Sequence, residues 1–256
     1  AAACCAHGGT RFDRTGHAGY ITDHIVSKSM PTTTLPLTPA RQRRKEARPQ
    51  ELLDAALDLF VEKGFAATRS EEVAARAGVS KGTLYLYYPS KEELLKAVIR
   101  ANISREIAEG EDMVRGFDGP TTELLPRLIK EWWRRIGETK ASGICKLMVA
   151  EVRNFPEIAS FYREEVIEPA QRMIGRVLQR GIDRGEFRPV PVPEAVHALM
   201  APVLFIMLHK HSIGACAGLE NMVDAHATID VQLDLVMHGL TPRDDVAAGR
   251  RKAGRR

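Results

Sequence analysis

Along most of this 256-residue chain apolar residues recur every three or four positions, the period of an amphipathic helix, and from Pro49 onward no segment alternates with the period of two that marks a strand. In PQELLDAALDLFVEKG, Leu52, Leu53, Ala56, Leu57, Phe60 and Val61 share one stripe. Pro49 suits the first turn of that helix, and Gly64 suits the left-handed position just past its end. TRSE opens a short second helix in capping-box form, with Thr68 accepting from the Glu71 amide while Glu71 reaches back. It turns Val73, Ala74 and Ala77 inward and stops at Gly78. Ser80 caps a third helix, KGTLYLYY, which Pro89 ends. Ser90, with Glu93 as its box partner, opens a fourth that runs to Val114. After a break at Gly116 to Pro120, helices are expected over residues 122–139, 142–153, 156–184, 193–213 and 219–239. The fold class is therefore all-α, with about nine helices. The longest apolar stretch, AVHALMAPVLFIMLHKHSIGA, is broken by His197, Pro202 and His209 to His211, so no run reaches the roughly 18–20 residues of a membrane span.

Composition adds limits. Apolar residues make up 44% of the chain, enough for a sizeable core, and the formal net charge of +4 does not by itself mark a nucleic-acid binder. Its distribution is more informative: RQRRKEAR (Arg41 to Arg48) directly precedes the helices above, and RRKAGRR closes the chain. Residues 1–29 carry no periodicity, and PTTTLPLTPA after Met30 is a Thr/Pro-rich leader, so Met30 is expected to be the natural start. The expected organisation is a disordered leader over 1–40, a flexible basic arm and three-helix head over 41–92, a regulatory part over 93–242 and a basic tail over 243–256. Of four cysteines, Cys4 and Cys5 are adjacent, while Cys145 and Cys216 lie in helical stretches as buried fillers. No CxxC or His/Cys metal spacing occurs, which implies reduced thiols in a cytoplasmic protein, no metal and no cofactor.

Two short helices joined by a tight glycine-containing turn form a helix-turn-helix, whose last helix enters the major groove of DNA. On the third helix, Leu84 and Tyr88 face one way, leaving Lys81, Gly82, Thr83 and Tyr85 outward and Tyr87 on a flank. Lys81 supplies a phosphate or guanine contact, Thr83 reaches a base edge, and the tyrosyl hydroxyls donate to phosphates. Gly82 admits the DNA backbone, and Lys91 is placed to clamp the next phosphate.

GFAATRSEEVAARAGVSKGTLYLYYPSKEELLKAV closely resembles the DNA-binding domain of the tetracycline-repressor (TetR) family of transcriptional regulators, with the likeness running from Gln50 to Val98. Tyr88 stands where that family more often has phenylalanine, and Glu71-Glu72 is unusually acidic for a DNA-facing helix. The resemblance implies an N-terminal helix-turn-helix domain and a C-terminal ligand-binding and dimerisation domain. It also implies a homodimer through the last two helices, a palindromic double-stranded operator, and release by a small effector. DNA contacts carried over are Arg69, Ser70, Ser80, Lys81, Gly82, Thr83, Tyr85, Tyr87 and Lys91.

For the regulatory half, Trp132, Trp133, Met148, Phe155, Phe161, Tyr162, Met173 and Phe205 offer a lining for a hydrophobic or aromatic effector. The adjacent tryptophans point about 100° apart, so only one of them lines a pocket. A competing reading makes this half a protein-interaction module with no cavity. An enzyme is not expected, since the chain carries no nucleophile–base pair, phosphate loop or HExxH.

Overall fold

The computed structural model describes residues 39–219 and 222–242, with side chains from Arg48 onward. The expected leader, the adjacent Cys4 and Cys5 and the C-terminal basic tail lie outside the described residues. Eleven α-helical segments are present, and no strand occurs among the described residues.

The first helix, α1 (Pro39–Lys63), begins ten residues before the expected start and carries Pro49 in its interior. ARQRRKEAR consists almost wholly of strong helix formers, which outweighs the one backbone bond that Pro49 cannot make. The basic run is thus helical and continuous with the first helix of the head. Gly64 follows at φ 88°, as its position past the helix end required.

Helix α2 (Ser70–Arg76) starts one residue later than the capping box predicted. Glu72, and not Glu71, accepts from the Arg69 amide (3.2 Å). Thr68 is buried, and its hydroxyl donates to the Gly64 carbonyl (2.7 Å). The turn after Gly64 pulls Thr68 inward, so it closes the end of α1 instead of opening α2. Helix α3 (Lys81–Tyr87) is capped by Ser80, which accepts from the Thr83 amide (3.1 Å), and α4 (Lys91–Ile99) by Ser90 in the same way.

From α4 the chain runs without a break through a π-turn, Arg100–Ser104, into α5 (Arg105–Arg115). Helix α6 (Thr121–Trp132) ends in a second π-turn, Trp133–Gly137. After α7 (Gly143–Glu151), α8 (Pro156–Tyr162) passes through a third, Arg163–Ile167, into α9 (Glu168–Asp183). Counted as continuous rods, with α4 joined to α5 and α8 to α9, the described chain has nine helices. Arg135, in the second π-turn, ties that turn to α5 and α6 through ion pairs with Glu106 (3.1 Å), Glu109 and Glu131 (2.6 Å).

The last two helices are α10 (Val192–Lys210) and α11 (Ala225–Leu240). Helix α11 begins six residues later than its apolar pattern suggested. Gly218 turns the chain at φ 85°, and Asp224 provides the cap by accepting from the Ala227 amide (3.0 Å). By length and mean hydropathy the stretch Val192–Ala215 is long and apolar enough to cross a membrane, which the sequence pattern alone had not indicated. A third of its 18-residue apolar window is buried inside the protein, where Val196, Leu199, Val203, Ile206 and Met207 join the core. Cys216 is exposed, not a buried filler, and Cys145 is half-buried.

One apolar core runs from Leu52 in α1 to Leu240 in α11, and the described residues from Ala40 onward form one compact unit. The three-helix head therefore does not hang free. Phe65, just after α1, meets Phe155 edge-to-face at 4.8 Å between ring centroids. The Ala66 amide donates to Glu151 of α7 (3.3 Å), and Lys140 pairs with Asp58 (2.6 Å). Gly143 lies so close to Val61 that a Cβ there would overlap it at 2.6 Å, so α7 seats directly on α1.

Candidate DNA-reading helix and effector cavity

Helix α3 is held by one face. Leu84 is fully buried, and Val79, Tyr87 and Tyr88 pack from the sides. The opposite face presents Lys81, Gly82, Tyr85 and Leu86 to solvent. Leu86 is 81% exposed, a large apolar side chain with no packing role, and it belongs to the same outward surface. Apolar tips on a reading helix suit the thymine methyl group. The periodicity had contained this signal, since Leu86 lies four positions from Gly82 and two from the buried Leu84.

The Lys81 ammonium lies 2.5 Å from the Glu71 carboxylate of α2 and 5.7 Å from the centre of the Tyr85 ring. The hydrogen bond from Lys81 holds the Glu71 carboxyl below its usual range, and Glu71 in turn raises the Lys81 ammonium. Both groups are exposed, so the pair is open to exchange with an incoming phosphate. Arg69 is exposed on the same side, but Ser70 is buried and Thr83 is half-buried, its hydroxyl 2.9 Å from that of Ser80. Lys91 does not project outward as a clamp. Its ammonium donates to the carbonyls of Phe65 (2.8 Å), Thr68 (3.0 Å) and Ala66 (3.3 Å) and lies over the Phe65 ring. Of the nine residues expected at DNA, Arg69, Ser80, Lys81, Gly82 and Tyr85 share exposure; Thr83 and Tyr87 lie partly covered; Ser70 and Lys91 face inward.

The second feature is a cavity of about 400 Å³ lined by α6, α7, α8, α9, α10 and the π-turns and open on one side to solvent. Three of the eight expected lining residues are there: Trp132, Met148 and Tyr162. Trp133 turns into the core, as the 100° step between adjacent residues requires, and Met173 packs on Trp132 beside the cavity. Phe155 is taken by Phe65, and Phe161 lies beneath the Arg100 guanidinium at 4.8 Å. Phe205 points to solvent. Aliphatic residues that the sequence could not separate from plain core complete the wall, among them Ile103, Ile136, Val166, Val196 and Met200. All three π-turns contribute: Ile103 from the first, Ile136 from the second, Val166 and Ile167 from the third.

Polar groups at the cavity are few. The Tyr162 hydroxyl lies 3.9 Å from Cys145 Sγ, and that sulfur lies 3.6 Å from Met207 Sδ. Burial raises the Tyr162 phenol well above its ordinary range and raises the Cys145 thiol too, so both stay protonated. At the rim, Gln171 and His197 bond one another at 3.1 Å. Of the HKH cluster, His209 is buried and His211 lies 2.7 Å from the Ser142 hydroxyl.

Residues 52–98 match the family model for bacterial regulatory proteins of the tetR family, and residues 118–240 match a tetracyclin repressor-like C-terminal domain. The chain is 30% identical over 155 residues to the HTH-type transcriptional regulator YfiR of Bacillus subtilis, covering 58% of this chain and 72% of YfiR. The chain belongs to the TetR family. It is also 30% identical over 144 residues to the transcriptional repressor KstR2 of Mycobacterium tuberculosis, covering 56% of this chain and 70% of that one. Among solved structures, the regulator FadR of Bacillus subtilis in complex with stearoyl-CoA shares the fold at a TM-score of 0.62 and 21% identity, over 75% of this chain and 98% of FadR. As a TetR-family protein, the chain is a helix-turn-helix, DNA-binding transcriptional regulator.

Proposed function

We propose that this TetR-family regulator is a repressor that binds a two-fold symmetric operator as a homodimer and is released by a small hydrophobic effector bound in the cavity. The observation that carries the reading is the double engagement of α7. Its Cys145, Met148 and Val149 line the cavity, while its ends, Gly143 and Glu151, lie against Val61 and Ala66 of the head. A ligand that presses on α7 from one side acts on α1 from the other, so occupancy and head position are coupled through one rigid element.

DNA contact falls to Arg69, Ser80, Lys81, Gly82, Tyr85 and Leu86, with Thr83 and Tyr87 at the edge. The helical run Arg41 to Arg48 adds phosphate contacts ahead of the head. Dimerisation falls to α10 and α11, where Phe205 (58% exposed), Val231 and Leu235 (67% exposed) form an apolar face that a second copy would cover in a four-helix arrangement. A cytoplasmic setting follows from the operator as partner.

Selection of bound duplexes from a random DNA pool tests the reading. A two-fold symmetric consensus is expected, with bound DNA released when a hydrophobic effector is added. An asymmetric site, or no enrichment, would overturn it. Deleting residues 41–48 should reduce both affinity and salt dependence; unchanged values would remove that run from the interface.

A further inference from the structure

The chemistry of the cavity wall narrows what it can hold, provided that the effector reading above stands. Among the described residues, no carboxylate, ammonium or guanidinium side chain lines it. A charged ligand buried there would lose its water with no counter-charge to replace it, which is strongly unfavourable. The inner end is formed by Met207, fully buried, with Cys145 and the ring of Tyr162 beside it; the rim is formed by exposed Val149 and Ile167 on one side and His197, Ala201 and Leu204 on the other. A ligand therefore enters between α7, the third π-turn and α10 and ends against Tyr162.

Three polar features belong to wall residues, and they are not equivalent: the Trp132 indole N–H is buried with no partner among the described residues, but Trp132 also borders the two small spaces beside the cavity. Gln171 and His197 already satisfy each other at 3.1 Å. Among the described residues the Tyr162 hydroxyl has one partner, a thiol sulfur at 3.9 Å, a weak acceptor at the limit of hydrogen-bond reach. A protonated phenol facing an apolar space with so poor a partner is a donor awaiting an oxygen. Apart from the phenol oxygen itself, nothing at the inner end offers a strong acceptor, so an alcohol or amine there leaves one proton, its own or the phenol's, without a good partner, whereas a carbonyl leaves none.

We propose that the effector is an uncharged hydrocarbon body carrying a carbonyl oxygen, such as a ketone or ester, and that Tyr162 is the residue that selects it by donating to that oxygen. Shape and apolar area supply most of the affinity, while the phenol supplies the discrimination between a neutral carbonyl compound and a lipophilic ion of the same length.

The test is calorimetric titration of the full-length protein with methyl nonyl ketone, decanoate and nonyltrimethylammonium, repeated with Tyr162→Phe and with Ala201→Trp at the rim. The ketone should bind more tightly than either ion. Tyr162→Phe should weaken the ketone about tenfold, the scale of one neutral hydrogen bond, and leave nonyltrimethylammonium, which has no acceptor, unchanged. Ala201→Trp, which blocks the entrance from an exposed position, should abolish ketone binding. If the ketone binds Tyr162→Phe as well as it binds wild type, or if an ion binds more tightly than the ketone, the carbonyl assignment is wrong while the cavity reading survives. No ketone binding at all likewise overturns the assignment. Ketone binding that Ala201→Trp leaves untouched places the ligand elsewhere and overturns the cavity reading itself. Thermal melting and sedimentation of both variants identify any loss of folding or of the dimer, since Ala201 lies one turn from Phe205 on α10, and in that event Tyr162→Leu and Val149→Trp, at an exposed wall position on α7, repeat the two arms.

Discussion

Lys91 Nζ donates to the Phe65 carbonyl at 2.8 Å and lies 4.5 Å from the centre of the same residue's ring, so one lysine binds both the backbone and the aromatic face of the turn that follows α1. With the carbonyls of Thr68 and Ala66 also engaged, the first residue of α4 holds the α1–α2 turn in place. Lys91→Met keeps much of the stem packing and removes the donor. It should lower unfolding free energy by about 1–3 kcal/mol, because the carbonyls are left without a partner. Denaturant unfolding checks this. A stability equal to wild type, with operator affinity alone reduced, would return Lys91 to the DNA surface.

Lys81 and Glu71 make the opposite case, a pair held in place by little and therefore available. Lys81→Ala should weaken operator binding and flatten the dependence of log affinity on log salt by about 0.9 for each phosphate that the lysine neutralises. Glu71→Gln should tighten binding, since the lysine no longer has to leave a carboxylate. Salt titrations of both variants provide the measurement; an unchanged slope for Lys81→Ala would remove it from the phosphates.

Two leucines, two positions apart on α3, should separate folding from reading. Leu84→Ala empties a fully buried site and is expected to cost about 2–5 kcal/mol of stability. Leu86→Ala, at a site 81% exposed, should leave the melting temperature within a degree or two and weaken operator binding. Melting curves and binding isotherms on the same preparations distinguish the two.

Phe205 on α10 and Leu235 on α11 are the largest apolar side chains on the face assigned to the second copy. Phe205→Glu combined with Leu235→Glu should yield a monomer by sedimentation, with a folded far-UV spectrum and much weaker operator binding, because a single head contacts one half-site. A dimer that persists through both changes would move the interface elsewhere.

Hydrogen bonds from Arg134 and Arg135 hold the Glu131 carboxyl at about 2, against an ordinary 4.5. A carboxyl depressed in the folded state contributes stability above its unfolded value and loses that contribution as pH falls through the window from about 4.5 to about 2. Wild type should therefore lose stability on acidification through that window. Glu131→Gln should be less stable at neutral pH by on the order of 1 kcal/mol, the scale of a partly exposed network, with the difference vanishing at low pH. Denaturant midpoints from pH 7 to pH 2.5 would show this.

The head was legible because its signals are local. Ser80 and Ser90 cap the helices that the pattern assigned to them, Gly64 takes the left-handed turn, and the buried Leu84 follows from period alone. What failed there depended on distant partners. Nothing near Lys91 in sequence announces the three carbonyls more than twenty residues back, and Thr68 reads as a cap until the turn after Gly64 draws it inward. In the regulatory half the helices were readable and the cavity was not. Trp132 and Tyr162 line it while Trp133 and Phe161 do not, and that difference lies in how rods pack. Empty space leaves no periodicity; Ile103 and Val196 would look the same in a filled core.

The π-turns bear on how this protein could yield without unfolding. Two of them, Arg100–Ser104 and Arg163–Ile167, harbour a surplus residue within a continuous rod, the other closes the end of α6, and all three border the same void through Ile103, Ile136 and Val166. A surplus residue can migrate along its rod in steps, as a ruck travels through a carpet, so the wall can swell or tighten while every helix stays whole. One of these rucks lies on the shaft that begins at Lys91, directly behind the reading head, so its passage would change the angle at which that head is presented.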